Sequence, residues 1–403
     1  MYNERMPKSF CGSKHKKAFL TGLTRVLAIL LAMLFAALFF SCQSAKRARG
    51  GNLRLLFAGD IMAHTQNFSM ADYSLIWEDI REQVQAADFS FANLESPVVE
   101  DRPFESYPTF NMQPSYPAAA LDAGFNLISL ANNHTNDQGT EGIKATSEWS
   151  KEVEGEVKPK TSARPVHFSG LTKGGQFSLA EFYWHEYKIL FVAVTELLNT
   201  WANYSEINYV PPTKKGRAAF AKQVADWKEE RSPDLFIVSV HTSEEEYVLT
   251  VRPEVRAFYH ALLDAGADIV VSNHPHVVRP IEFIAEKDSQ KIRKVIMYAN
   301  GNTISGQRRA LNYDDPNEIW NYTGDGQILE LEMALDEKGF FALDYKTTFI
   351  TAYTPQGERS PVIKRLDENF IHSLRENGEK KNSRYYEARL EALKKIKEIW
   401  TWR

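Results

Sequence analysis

Residues 53–64 read LRLLFAGDIMAH, a short apolar run that leads into Asp60 and His64, two side chains able to bind a metal or a phosphate. The same arrangement occurs six more times. The later runs, each with its polar followers, are Phe89–Phe91 with Asn93 and Glu95, Leu127–Leu130 with Asn132, Asn133, His134 and Asp137, Ile189–Val194 with Glu196, Phe236–Val240 with His241, Ile269–Val271 with Asn273, His274 and His276, and Val295–Tyr298 with Asn300 and Asn302. Because the carboxyl ends of parallel strands lie along one sheet edge, these groups can converge on one site.

Helix-like stretches alternate with the apolar runs. They are Leu75–Ala87, Pro117–Ala123, Gly142–Val153, Gly216–Trp227 and Pro253–Ala265. Gly124 and Gly266 each follow a helix candidate and precede a strand candidate, which fits a left-handed residue just past the helix end. This alternation predicts an α/β fold with a largely parallel sheet covered on both faces. After about Gly326 the pattern favours antiparallel strands and then an amphipathic terminal helix containing Tyr386, Leu390, Leu393, Lys397 and Trp400.

Three long segments lack a clear helix or strand pattern. They are Asp101–Pro117, Trp201–Lys215 and Gln307–Gly326, all with several aromatic residues. Loops of this length in a compact domain are often functional, so we expect them to form the rim of a binding cleft.

Composition excludes some classes of protein and limits the side chains that could hold a metal. With 403 residues, 43% hydrophobic and 25% charged, the chain is typical of one large domain or two small ones, and a net charge of −4 argues against a nucleic-acid partner. Of the two cysteines, Cys11 lies in the leader and Cys42 at its expected cleavage point. A metal in the body of the protein must therefore be held by His, Asn and carboxylate side chains.

The first 41 residues resemble a lipoprotein signal peptide. A basic stretch precedes the uncharged run Val26–Phe40, which at 15 residues is shorter than a spanning helix needs. The run ends at Ser41 and Cys42, so we expect cleavage before Cys42 and a lipid anchor on it; the alternative is an uncleaved anchor. The predicted organisation is a signal peptide at 1–41, a flexible tether at 42–52, a main domain at 53–355 and a C-terminal helical extension at 356–403.

Taken singly, most of the polar residues have an ordinary structural explanation. Asp60 could cap a helix, Glu95 could stand in a turn, and His241 could be a hydrogen-bonded structural histidine. Taken together they are costly to bury unless they are paired or bind cations. Carboxylates, an amide and imidazoles suit one or two divalent ions such as Mn, Zn or Fe. Next to these residues His134, near Asp137, is placed to act as a general acid.

In their order along the chain, these motifs resemble the CapA family of bacterial capsule and poly-γ-glutamate synthesis proteins, which is related to the calcineurin-like metallophosphoesterases. The resemblance covers roughly residues 53–307. The motifs that carry it are GDIM at 59–62, ANLE at 92–95, ANNH at 131–134 with Asp137 and Gly139, VSVH at 238–241 with Glu246 and Tyr247, NHPHV at 273–277 with Glu282, and Tyr298 with Gly301 and Asn302. The resemblance implies a four-layer α/β sandwich of two packed mixed sheets flanked by helices.

The resemblance also implies roles for individual residues. The metal ligands would be Asp60, Glu95, Asn133, His241, His274 and His276, the catalytic residues His134 and Asp137, and the substrate-binding residues His64, Asn93, Asn132 and Asn302. The chain departs from the family pattern at Thr242-Ser243 and at Asn273, and it has Glu95 where a bridging aspartate is usual. These departures leave the predicted fold unchanged but weaken the prediction of a phosphatase-like dinuclear centre.

Two functions follow as expectations. The first is a metal-dependent hydrolase or transferase that acts on an anionic cell-surface polymer, with poly-γ-glutamate favoured by the resemblance. The second is a non-catalytic lipoprotein that holds the polymer for a capsule synthase or export complex. Both place the protein on the outside of the bacterial cell membrane, held there by the lipid on Cys42.

Overall fold

The order of the strands in the sheets differs from their order along the sequence. A computed structural model describes residues 51–155, 164–200 and 202–399. The strands in these ranges are β1 Leu53–Ile61, β2 Phe89–Leu94, β3 Leu127–Ser129, β4 His167–Ser169, β5 Ala180–Trp184, β6 Tyr187–Thr195, β7 Leu235–His241, β8 Ile269–Asn273, β9 Ile281–Ala285, β10 Ile292–Met297, β11 Asn302–Ile304, β12 Asp325–Asp336, β13 Gly339–Tyr353 and β14 Val362–Arg365. All seven predicted apolar runs form strands.

In the described ranges, helices lie in six of the thirteen connections between successive strands, and two more follow β14. They are α1 Thr65–Phe68, α2 Glu78–Ala86, α3 Ser115–Ala123, α4 Gly139–Gly155, α5 Lys214–Arg231, α6 Pro253–Asp264, α7 Ile319–Tyr322, α8 Glu368–Glu376 and α9 Lys380–Ile399, with short 3-10 turns at Tyr73–Trp77 and Tyr204–Glu206. The predicted helix at 75–87 is therefore split into a 3-10 turn and α2. Gly124 and Gly266 both have left-handed backbone, with φ of 116° and 113°, as their positions after α3 and α6 predicted.

The main path of paired strands runs β4-β3-β2-β1-β12-β13-β10-β8-β7-β6-β5. Its first part combines the parallel strands β1 to β4 with the antiparallel hairpin β12–β13. Its second part combines parallel β6, β7, β8 and β10 with antiparallel β5. Between the two parts, β10 and β13 pair only through Ile292 and Ala342, so the path behaves as two sheets joined at one edge.

Alternate side chains of these strands fill three layers of core. Between the two sheets lie residues from both, such as Phe57 and Phe91 from the first and Phe191 and Ile237 from the second. Helices α2, α3 and α4 cover the outer face of the first sheet, and α5 and α6 cover that of the second. This arrangement is the predicted four-layer sandwich of two mixed sheets. The single covered sheet that strand alternation alone suggested is therefore corrected to two, joined at β10 and β13.

The C-terminal helices pack onto the domain. Tyr386, Leu390 and Leu393 of α9 are buried in a cluster that also contains residues of β13 and α8, as the helical spacing predicted. The guanidinium of Arg389 is buried as well and pairs with Asp325 at 2.8 Å. The terminal helix is thus fixed to the start of β12.

Several predicted features lie outside the described residues. These are the signal peptide at 1–41, Cys42 and the tether up to residue 50, together with Trp400 of the terminal helix. Among the described helices, none has the length and apolar content required to cross a membrane.

Candidate metal centre and cleft

The ends of strands from both sheets meet at one place. Asp60 pairs in register with Asn93 of β2 and with Asn302 of β11. His241, the last residue of β7, pairs with Asn273, the last residue of β8. The polar residues that follow each strand therefore lie together even though the chain separates them widely.

Glu95 lies at the centre of this group. Its Oε1 atom is 3.8 Å from Nε2 of His241 and 3.5 Å from Nε2 of His276. Two sets of possible ligands share it, and within each set the ligand atoms lie within 4.8 Å of one another. The sets are Asp60 with Glu95 and His241, and Glu95 with His274 and His276. A carboxylate common to both sets is the arrangement needed to bridge two ions.

The donor atoms fit a bound cation. Oε1 of Glu95 and Nδ1 of His274 are buried and have no hydrogen-bond partner within the described residues. Buried polar atoms are normally satisfied, and a site that leaves both a carboxylate oxygen and an imidazole nitrogen without a partner calls for an explanation. Carboxylate and imidazole are ligands that Mn, Zn and Fe accept.

Burial shifts the protonation equilibria of the group towards the neutral forms. Burial raises the pKa of the Glu95 carboxyl well above its ordinary range, and the charges of Asp60 and Glu246 add to the rise. Burial lowers the pKa of His241 and His274 well below the usual range, and neighbouring imidazoles contribute. A divalent ion would favour the ionised carboxylate and the neutral imidazoles that metal binding requires.

Asp60 and His276 form a direct contact. Burial favours the neutral ring of His276, but the hydrogen bond and charge of Asp60 outweigh it and raise the pKa of His276. Nδ1 of His276 lies 3.2 Å from Oδ2 of Asp60 and 3.1 Å from Oδ1 of Asn302. Asn93 donates from Nδ2 to Asp60 at 2.9 Å and to Glu95 at 3.1 Å. Asn93 and Asn302 therefore hold the predicted ligands in position.

The histidine pair reaches the group by an unexpected route. Residues i and i+2 of a strand point the same way, but β8 ends at Asn273, before both His274 and His276. Their φ angles are 100° and 54°, in the left-handed half of backbone space. Such conformations cost about 1–3 kcal/mol each and cluster at functional sites. The turn through Pro275, and not a strand, brings the two rings to a centroid separation of 5.8 Å.

His134 and Asp137 form a hydrogen-bonded pair beside the ligand group. Nδ1 of His134 lies 2.6 Å from Oδ2 of Asp137, which also accepts from the backbone N–H of Phe110 at 2.8 Å. The ring of Phe110 packs edge-on against His134, with centroids 4.7 Å apart. Asp137 is the acceptor for Nδ1–H, so Nε2 of His134 remains available to exchange a proton.

Asn133 lies against one of the predicted imidazole ligands, and Asn132 supports the turn that carries His134. Oδ1 of Asn133 lies 2.8 Å from Nε2 of His241. Asn132 donates to the carbonyl of Leu94 and accepts from the backbone N–H of His134, which fixes the turn that carries His134. Asn93, Asn132 and Asn302 are all buried and make these contacts with the ligand-bearing segments.

His64 lies apart from the two ligand sets, on the wall of a cleft. Its Nδ1 accepts a hydrogen bond from the backbone N–H of Gly306 at 3.1 Å. Burial lowers the pKa of His64 to about 3, with the charges of His276, His134 and Arg309 adding to the effect. At neutral pH His64 is therefore an uncharged acceptor.

The cleft opens above the ligand group and has a volume of about 560 Å³. Two of the three predicted rim segments contribute to it. Its lining residues are Met62, His64, Tyr107, Phe110, His134, Glu246, Tyr247, His276, Gly306, Gln307, Arg308, Arg309, Ala310 and Trp320. The predicted segment 201–215, of which residue 201 lies outside the described residues, is not among the residues that line it. No individual role for Arg309 or Trp320 was predicted from the sequence. The Arg308-Arg309 pair, in a segment with several aromatic residues, could have indicated a charged wall of the cleft.

Comparisons with known proteins agree on one family. The family model for the bacterial capsule synthesis protein PGA_cap matches residues 54–307. The chain is 24% identical to the capsule biosynthesis protein CapA of Bacillus anthracis over 370 residues, which cover 86% of this chain and 79% of that protein. It is 23% identical to the PGA biosynthesis protein CapA of Bacillus subtilis (strain 168) over 306 residues, or 71% of this chain and 69% of that one.

Among solved structures, the calcineurin-like phosphoesterase YfkN from Bacillus subtilis is similar at 12% identity and a TM-score of 0.41, with 84% of this chain and 99% of that chain covered.

The family model spans well over half of the sequence and all of the predicted ligands. The protein therefore belongs to the bacterial capsule synthesis family PGA_cap, as its sequence motifs predicted.

Proposed function

We propose that this protein is a metal-dependent hydrolase or transferase of capsule assembly that acts on an anionic surface polymer of the poly-γ-glutamate type. One observation carries the proposal: Glu95 is shared by two sets of buried ligand atoms, beside the His134–Asp137 pair. The names of the related CapA proteins support a polymer of this class.

The site residues fall into two groups, those that would bind the metal and those that would transfer protons. Asp60, Glu95, Asn133, His241, His274 and His276 would hold one or two ions of Mn, Zn or Fe. A divalent ion, when bound, supplies Lewis-acid polarisation of a carbonyl or phosphoryl group. The protein contributes the geometry, through Asn93 and Asn302, that keeps the ligands oriented.

His134 provides the acid–base function in this proposal. Asp137 accepts a hydrogen bond from Nδ1–H of His134, so the protonated ring can give the proton on Nε2 to a leaving group in the cleft. Phe110 restricts the ring by packing against its face. Tyr107, Phe110, Tyr247 and Trp320 line the space around the reacting groups and displace water from it.

The test uses full-length protein purified in detergent. Elemental analysis should find one to two divalent ions per chain, and the protein should shorten poly-γ-glutamate in a size-exclusion assay. His134→Ala should lose this activity and retain the metal, whereas His372→Ala, at an exposed histidine, should retain both. Wild-type protein with stoichiometric metal and no effect on the polymer would remove the catalytic proposal.

A second function is favoured by the hydrogen bonds within the ligand group. Asn93 donates to both Asp60 and Glu95, and Asp60 contacts His276, so part of the group is satisfied by protein atoms alone. A non-catalytic protein that holds the polymer for a synthase or export complex needs no more than this. Protein that binds the polymer while free of metal would favour this alternative.

The proposed location is the outer side of the cell membrane, with a lipid on Cys42. The names of the related capsule biosynthesis proteins support an association with the cell envelope. Radiolabelled lipid should enter the wild-type chain and fail to enter Cys42→Ser, which should also leave the membrane fraction. Equal labelling of the two proteins would contradict the anchor.

A further inference from the structure

The cleft is lined by one cation and one anion that form no ion pair within the described part of the chain. Arg309 is exposed, whereas the adjacent Arg308 is tied to Asp325 at 2.8 Å. Glu246 is half-buried and hydrogen-bonds the hydroxyl of Tyr247. Charges that line a cleft and are not paired with each other remain available to a ligand.

The two charges lie on different loops around the cleft. Glu246 precedes Tyr247, whose ring lies 6.2 Å between centroids from the ring of the predicted ligand His276. Arg309 lies three residues after Gly306, whose backbone N–H donates to Nδ1 of His64 at 3.1 Å. Glu246 is thus on the loop beside the ligand group, and Arg309 is on the loop beside the His64 wall.

An aromatic surface accompanies them. The rings of Tyr247 and Trp320 lie 4.6 Å apart between centroids, and Tyr247 lies 6.2 Å from His276. A cleft of about 560 Å³ is of the size that holds a small molecule or a few residues of a chain. Aromatic side chains next to a free carboxylate and a free guanidinium suit a ligand with an aliphatic body and charges of both signs.

We infer that this cleft receives the amino-terminal unit of its polymer, with the ammonium group at Glu246 and a carboxylate at Arg309. The inference rests on the proposed function for the class of polymer. In a γ-linked glutamyl chain every interior unit carries a carboxylate, but only the amino-terminal unit also carries a free α-ammonium. A site with both complementary charges therefore selects chain ends, and it places the first linkage near the ligand group.

Calorimetry with short ligands tests the inference. A γ-linked glutamyl trimer with a free α-amine is compared with the same trimer acetylated on that amine, for full-length wild type, Glu246→Gln and Arg309→Gln. Wild type should bind the free amine about tenfold more tightly, a difference of about 1.4 kcal/mol. Glu246→Gln should lose this preference, and Arg309→Gln should weaken both ligands about equally. The matched controls Glu245→Gln and Arg359→Gln, at exposed positions, should behave as wild type.

Four outcomes would contradict the inference. Equal affinity of wild type for the two trimers, a preference retained in Glu246→Gln, unchanged affinity in Arg309→Gln, or no binding of either trimer would each overturn the inference. Metal content measured on the same samples separates this result from the proposed function. If metal-free protein prefers the trimer with the free amine, the inference stands and the catalytic proposal fails. If protein with stoichiometric metal shows no such preference, the inference fails and the catalytic proposal stands.

Discussion

The Oε1 atom of Glu95 lies 3.5 Å from Nε2 of His276, and it has no hydrogen-bond partner within the described residues. A carboxylate oxygen buried without a partner is costly unless a cation compensates for the lost hydration. The same atom lies 3.8 Å from Nε2 of His241, on the other ligand set. Glu95 is therefore the residue through which a two-ion site would be assembled.

Glu95→Gln should separate metal binding from folding. Glutamine keeps the shape but removes the charge that burial disfavours, so the metal-free variant should melt no lower than metal-free wild type. Added Mn²⁺ or Zn²⁺ should raise the melting temperature of wild type, since a ligand at 100 times its Kd stabilises by about 2.7 kcal/mol, and should not raise that of the variant. Calorimetry checks both, with Glu358→Gln as the exposed control; an unchanged metal response in Glu95→Gln would contradict the assignment.

Asp137→Asn should impair catalysis without removing metal. The amide cannot hold the proton on Nδ1 of His134 as the carboxylate does at 2.6 Å, so the ring loses its required tautomer. Polymer cleavage should fall by about 10²–10⁴-fold, with metal content unchanged by elemental analysis. Asp288→Asn, at an exposed aspartate, is the control. Activity within twofold of wild type would exclude the pair from proton transfer.

His64 should give the protein a sensitivity to acid. Its folded pKa of about 3 lies below the unfolded value of 6.5, so the unfolded chain binds more protons as the pH falls. The stability that neutral His64 contributes is present above pH 6.5 and is lost towards pH 3. Between pH 7.5 and 5 the unfolding free energy of wild type should therefore fall relative to His64→Asn by about 2 kcal/mol.

Urea unfolding at the two pH values measures this difference. Asparagine can still accept the hydrogen bond from Gly306, which makes it a fair reference. His372→Asn, at an exposed histidine, should not reproduce the change. A constant gap between wild type and His64→Asn over this pH range would show that His64 does not titrate as proposed.

Gly59→Ala should damage the strand end that carries Asp60. A Cβ atom at this position would lie 1.9 Å from the carbonyl oxygen of Gly301, where β1 and β11 approach each other. The backbone must move, at a cost of about 1–3 kcal/mol or more. Denaturant unfolding checks this cost, and metal affinity should fall with it. Gly51→Ala, where a Cβ atom meets nothing within 4 Å, should leave both unchanged.

Asp325→Asn should loosen the C-terminal helix. Asp325 pairs with both Arg308 and Arg389, each at 2.8 Å, and all three side chains are almost fully buried. Loss of the carboxylate leaves two buried guanidinium groups without their anion, at a cost of about 3–5 kcal/mol. Chemical denaturation should show this loss, and Asp314→Asn, at an exposed aspartate, should not. An unaffected midpoint for Asp325→Asn would mean that the ion pairs contribute little.

The predicted ligands converge because buried parallel strands leave a strong sequence signal. Runs such as Ile189–Val194 and Phe236–Val240 have both faces covered, so nearly all of their residues are apolar and they end abruptly at polar residues. Strands β4, HFS, and β11, NTI, span three residues with a single apolar side chain each, so no apolar run marks them. Strand β5, AEFYW, pairs only with β6 and is partly exposed, which mixes its pattern.

Other features depend on contacts that are remote in sequence. The periodicity of apolar residues does not show that β10 pairs with β13, so the sequence pattern alone could not distinguish one sheet from two. The left-handed backbone at His274 and His276 is imposed by the surrounding structure against their own preference. Glu246 and Arg309 come to the cleft on loops, and Trp320 on the one-turn helix α7; the course of these segments is set by packing. The strand ends and two of the segments around the cleft could thus be predicted, whereas the arrangement of the side chains that line it could not.

The most direct test is anomalous diffraction from crystals soaked in Mn²⁺. We expect one or two anomalous peaks beside the Glu95 carboxylate. Each peak should lie next to one of the two ligand sets, Asp60 with His241 or His274 with His276. Crystals that diffract well and show no peak at Glu95, or peaks only at surface carboxylates, would contradict it.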